Sequence, residues 1–103
     1  MGIEYKRTFN KRLDIATVSE LEKEVRCIPG LLLLGKDEAG DLLFRLESLE
    51  AREKWPQDVT VSLSVDGCYV LFDSWGSAIE EKVLGSLSHL LDSADTGGSF
   101  EEL

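Results

Sequence analysis

Residues Val59 to Ser74, VTVSLSVDGCYVLFDS, constrain the fold more than any other stretch of the chain. Two runs of strand-forming residues flank the dipeptide Asp66-Gly67. A two-residue hairpin loop of that kind takes positive φ at both central positions, which Asp tolerates and Gly adopts freely. This reading sets Val65 opposite Cys68, Leu63 opposite Val70, and Val61 opposite Phe72. Side chains alternate along a strand, so Val59, Val61, Leu63, Val65, Cys68, Val70 and Phe72 share one face. Thr60, Ser62, Ser64, Tyr69, Leu71 and Asp73 share the other, which can meet water. An isolated hairpin is marginal in water, so its apolar face must be shared with other elements.

The rest of the chain supplies them. Ile3 to Arg12, IEYKRTFNKR, puts Ile3, Tyr5 and Phe9 on one face of a strand. Arg7 interrupts that face, which predicts a position near a sheet edge where Arg7 reaches solvent. A helix follows, with Thr17–Glu20 or Ser19–Glu22 as a capping box and Val18, Leu21, Val25 and Ile28 as its apolar stripe. Pro29-Gly30 ends it. Leu31 to Leu34 is too short for a helix between such breakers and reads as a strand buried on both sides or at a crowded end. A turn over Lys36–Asp41 then returns the chain through Leu42, Phe44 and Leu46 as a second hairpin. Ala39 and Gly40 break the ligand spacing a calcium loop would need there.

Ser48 to Asp58 reads as a short helical turn or an extended excursion, with Trp55 capping the core or standing free as a contact residue. After the central hairpin, Ser77–Glu80 forms a capping box for a second helix. Ile79, Val83, Leu84, Leu87, Leu90 and Leu91 give it the strongest helical period in the chain. Gly85 sits inside that helix, at a cost of about 1 kcal/mol against Ala. Residues 93–103 turn polar and glycine-rich and read as a flexible tail, which Phe100 and Leu103 could pin to the body.

The element order is β-α-β-β-β-β-α in a single α+β domain spanning 1–103. It predicts a five-stranded antiparallel sheet with both helices on one face and the first strand at an edge. That order resembles the fold of TATA-binding-protein repeats and, more loosely, of helix-grip proteins. The resemblance implies an architecture and, with no shared motif, no function.

Charge narrows the partners. The net charge is −9, and the basic cluster Lys6, Arg7, Lys11 and Arg12 against Glu4 leaves the remainder at −12. Phosphate backbones and anionic lipid repel such a surface, so nucleic acid and membranes are not the expected partners. The basic cluster is expected to answer the protein's own acids. The longest apolar run is four residues, with no membrane span and no signal-peptide core. Cys27 and Cys68 stand alone in sequence and are expected as buried thiols in a cytoplasmic protein.

Catalytic signals are thin. His89 has Ser86, Ser88 and Asp92 nearby on one helix, where side chains project together into water without an oxyanion donor. Neighbouring carboxylates such as Glu80–Glu81 follow from composition. No catalytic, metal or cofactor site is therefore expected. The expected function is a non-catalytic acidic interaction module, an inhibitor or immunity-type protein for a basic polypeptide, with Tyr69, Leu71, Trp75 and Trp55 as contacts. The alternative is a small-ligand carrier or minor enzyme with a cavity between the sheet and the second helix.

Overall fold

A computed structural model describes residues 3–46, 58–73 and 77–103 of the chain. Its elements are β1 (Ile3–Thr8), α1 (Ile15–Val25), β2 (Leu31–Lys36), β3 (Leu42–Leu46), β4 (Val59–Leu63), β5 (Gly67–Phe72), α2 (Ser77–Ser93) and β6 (Glu101–Glu102). All strands belong to one antiparallel sheet in the order β2-β3-β4-β5-β1-β6. The fold is therefore α+β as the sequence predicts, but with six strands rather than five.

The additional strand comes from the tail. Of the two expectations for the tail, flexible or pinned, the structure has the pinned one: the tail runs back along β1, where Glu102 pairs with Tyr5 and Glu101 with Lys6. Leu103 closes the ladder by donating its N–H to the Glu4 carbonyl at 2.9 Å. Arg7 explains why the tail is held. Expected at a solvent-facing edge, it is 1% exposed and lies between β5 and β6. Its guanidinium donates to Asp92 Oδ1 at 2.7 Å, Thr96 Oγ1 at 3.1 Å and the Gly97 carbonyl at 3.0 Å. The Phe100 ring covers it, 6.0 Å from the guanidinium carbon. A charge survives burial only with such partners.

The central hairpin keeps its facing but not its register. Val61 pairs with Val70 and Leu63 with Cys68, so the loop residues are Val65 and Asp66. Gly67 lies in β5, and neither it nor Asp66 takes positive φ. The β1–α1 connection accounts for the shift. Phe9 and Leu13 donate their N–H groups to the carbonyls of Asp66 and Val65, both at 2.9 Å. Gly67 serves that contact, because a Cβ there would lie 2.6 Å from the Arg7 carbonyl oxygen. A shift of two positions leaves every side chain on its original face, which is why the core assignment survives.

That core is one cluster. Leu42, Phe44, Leu46, Val59, Val61, Cys68, Val70 and Phe72 line the inner sheet face, and both helices pack on it through Leu21, Val25, Val83, Leu87 and Leu91. Val18, Leu63 and Leu90, expected inside, are half-buried at its margin. The side chain of Ile79 lies outside the described residues. Helix α1 begins earlier than its predicted capping boxes. Asp14 is the N-cap and accepts the Thr17 N–H at 2.7 Å, which holds the Asp14 carboxyl below its ordinary range. In α2, Glu80 is buried and its Oε1 has no hydrogen-bond partner among the described residues, while the Ser77 side chain of the expected capping box lies outside them.

Strand β2 departs furthest from expectation. It is an edge strand, and Leu32, Leu33 and Leu34 are 48%, 38% and 48% exposed. Leu34 bulges out of the ladder between Leu33 and Gly35, whose φ of +151° suits glycine. A run of leucines has the same pattern on a buried strand as on an edge, so periodicity alone misplaces it.

Candidate interaction surface

No described element covers the outer face of the sheet. Strand register arranges it in rows. Leu43, Thr60, Leu71 and Glu4 stand side by side across β3, β4, β5 and β1. Ser62, Tyr69, Lys6 and Glu101 form the next row, from β4 to β6. Leu71 and Tyr69 therefore lie close together at the middle of the face, both half-buried. Trp55 and Trp75 lie outside the described residues.

Tyr69 is fixed in place. Its hydroxyl donates to Glu4 Oε1, and that bond, with burial and the nearby charges of Glu4 and Asp73, pushes the phenol up to about 12. The ring is thus a neutral, oriented platform at physiological pH. A depression of about 220 Å³ beside it is lined by Lys6, Thr8, Ser62, Ser64 and Tyr69. Glu4 and Glu101 stand at this end of the face, with Lys6 between Tyr69 and Glu101. Asp73, at the end of β5, is raised by burial and by the Asp58 carboxylate. Asp58 itself ties strands together: its Oδ2 accepts the Leu46 N–H at 2.9 Å and its carbonyl the Asp73 N–H at 2.8 Å.

Two of the four residues of the basic cluster at the start of the chain are paired internally. Arg7 is held by Asp92 and Lys11 reaches Asp95 at 3.2 Å. On the helix side, Glu22 takes both Arg26, at 3.0 Å, and Lys36. The Lys36 hydrogen bond leads in holding the Glu22 carboxyl below its ordinary range, against the opposing effect of burial.

A second concavity separates the helices. It is a shallow groove of about 510 Å³ between the end of α1 and the middle of α2, with Ile28, Pro29 and Leu90 as apolar lining. Glu24, Cys27, Lys82 and His89 stand around it. Sequence reasoning expected a cavity between sheet and α2. There the structure has a smaller cleft, of about 110 Å³, by Ile28, Leu46 and Val83. Cys27, expected buried, is exposed, whereas Cys68 is buried. The Ser–His–Asp adjacency dissolves, since Asp92 is committed to Arg7. Among the described residues no three His, Cys, Asp or Glu side chains converge as metal ligands, and no helix is long and apolar enough to cross a membrane.

Two features escaped sequence reasoning. The exposed leucine edge had one available signal, the Gly35-Lys36 pair that follows it, since glycine at a bulge and lysine at an edge are marks of an unpartnered strand. The interhelical groove was signalled only by Gly85. Compared with known protein families, with curated proteins and with solved structures, the chain matches none.

Proposed function

We propose that the protein is a non-catalytic interaction module that holds a basic polypeptide against the outer face of its sheet. The observation that carries this reading is the pairing of an oriented Tyr69 with Leu71 on a face that no described element covers. Tyrosine concentrates binding energy because it buries a large rigid surface at little entropic cost. The net charge of −9, with Glu4 and Glu101 outnumbering Lys6 at this end of the face, supplies attraction toward a cationic partner and speeds encounter. An inhibitor or immunity-type role in the cytoplasm fits a small module of this kind, with Trp75 and Trp55 as further contacts.

The test is affinity capture from the native host at low and moderate salt, repeated with Tyr69→Ala. A single basic polypeptide retained at moderate salt and released by the substitution is the expected result. Capture that is insensitive to Tyr69→Ala, or that vanishes as soon as charge is screened, rejects the docking face.

A second reading, small-ligand binding, is favoured by the apolar interhelical groove, whose size falls within the range of small-molecule sites. A small molecule that copurifies with the protein and is excluded by Gly85→Leu would support it. That substitution fills open space, because a Cβ at Gly85 meets nothing within 4 Å.

A further inference from the structure

The first turn of α2 carries a charge that nothing described answers. Glu80 stands on the helix face that takes Val83 and Leu87 into the core, and it is only 7% exposed. Its Oε1 is buried and has no hydrogen-bond partner among the described residues. Folded proteins seldom bury an acceptor without pairing it, so the orphaned oxygen calls for a donor from outside the chain.

Its surroundings add to that demand. Tyr5 lies on the helix side of the sheet, its ring edge-on to Phe72 with centroids 5.9 Å apart. Glu102 faces Tyr5 across the β1–β6 pair, and the Tyr5 hydroxyl donates to Glu102 Oε1 at 3.4 Å. Burial and the charges of Glu80, Glu102 and Glu81 push the Tyr5 phenol upward, so all three carboxylates stand within electrostatic reach of that hydroxyl. Among the described residues no lysine or arginine forms an ion pair with any of the three. The acids that are paired are Asp92, Asp95, Glu20 and Glu22.

The spacing of these groups selects the ligand. They do not converge as metal ligands, so a small spherical cation is not gripped. An ammonium is likewise a compact, strongly hydrated point charge. A guanidinium is planar and weakly hydrated, and its fork of N–H donors can bond carboxylates on two different elements at once. We propose that the first turn of α2 and the Tyr5–Glu102 pair together form a binding site for a guanidinium group. Glu80 accepts from it on the helix side and Glu102 on the β6 side. The Tyr5 hydroxyl lies beside Glu102 as a neutral acceptor, and Glu81 adds charge at the exposed rim. This site is on the opposite side of the sheet from Tyr69 and Leu71 and does not rest on the outer face.

Amide NMR titration of the protein with n-propylguanidinium, and with n-butylammonium at the same ionic strength, tests this. Propylguanidinium should bind saturably with a Kd on the order of 1 mM, in keeping with its few atoms. Its shifts should centre on Tyr5, Glu80 and Glu102, and butylammonium should bind several-fold more weakly. Glu80→Gln should lower the affinity by roughly tenfold. Glu102→Gln, at an exposed strand end where the fold is not at risk, should lower it several-fold. Glu38→Gln removes the same charge from an exposed turn and should leave binding unchanged. Absence of saturation overturns the proposal, as do equal affinity for the two cations, equal losses in all three variants, or binding that survives both Glu80→Gln and Glu102→Gln. Nα-acetylarginine methylamide separates two sources of the group. If it binds as propylguanidinium does, the site takes an arginine side chain; if it is excluded, the site takes a free guanidino compound, and either result upholds the chemistry. Tyr69→Ala should leave these titrations unchanged, so this site and the outer face stand or fall separately.

Discussion

The two cysteines report on opposite environments. Cys27 is exposed and should react with a thiol reagent in the native protein, whereas Cys68 should react only after unfolding. A thiol count of one rising to two in denaturant is the expected outcome. Burial pushes the Cys68 thiol from 9.0 up to about 12, with the neighbouring Arg7 cation acting in the opposite sense. The folded value lies above the unfolded one, so this contribution to stability is full below pH 9 and is lost as pH rises toward 12. Urea midpoints across that window should fall more steeply for the parent than for Cys68→Ala, whatever their difference at neutral pH. Arg7 and Asp92 are also unequal. The Arg7 side chain is 2% exposed and that of Asp92 is 69% exposed. Asp92→Ala strands a buried cation on two neutral acceptors and should cost about 3 kcal/mol. Arg7→Met leaves a solvated carboxylate and an apolar stem of similar size, and should cost less. Equilibrium urea unfolding ranks them, and the reverse order would refute the argument.

At the scale of elements, glycine separates helix from hairpin. Gly85 lies within α2 with nothing near its missing Cβ, so Gly85→Ala should stabilise the protein by about 1 kcal/mol. Gly67→Ala drives a Cβ to 2.6 Å from the Arg7 carbonyl and should destabilise it by roughly 1–3 kcal/mol. Thermal melts of both variants check the pair of signs. The same positions show what sequence can convey. Element type and facing were legible because periods of 2 and 3.6 are written in Val59–Phe72 and Val83–Leu91. The loop register was not, because it is imposed by Phe9 and Leu13, which bond the turn from far away in the chain. Arg7 was misplaced for a related reason: its partners Asp92, Thr96 and Gly97 follow it by more than 80 residues. Of the candidate surface, the placement of Tyr69 and Leu71 on the outer face could be read, but the pinning by Glu4 could not. That bond depends on how β1 and β5 are paired.

For the whole molecule, a net charge of −9 implies self-repulsion in the compact state. Neutral salt should therefore raise the thermal midpoint of dilute protein, and a midpoint that falls with sodium chloride would contradict this. The burial of Arg7 also has a kinetic consequence. The meander from β2 to β5 is built from neighbours in sequence, whereas the clasp around Arg7 closes a loop of more than 80 residues. Closing that loop carries the larger entropic cost, so the clasp forms after the folding barrier has been crossed. Stopped-flow measurements should then find Arg7→Met and Asp92→Ala acting on the unfolding limb, with refolding rates close to the parent. A clasp made last is also the first to open. The free energy of holding Arg7, given up before the unfolding barrier is reached, would then set how long each molecule persists once folded.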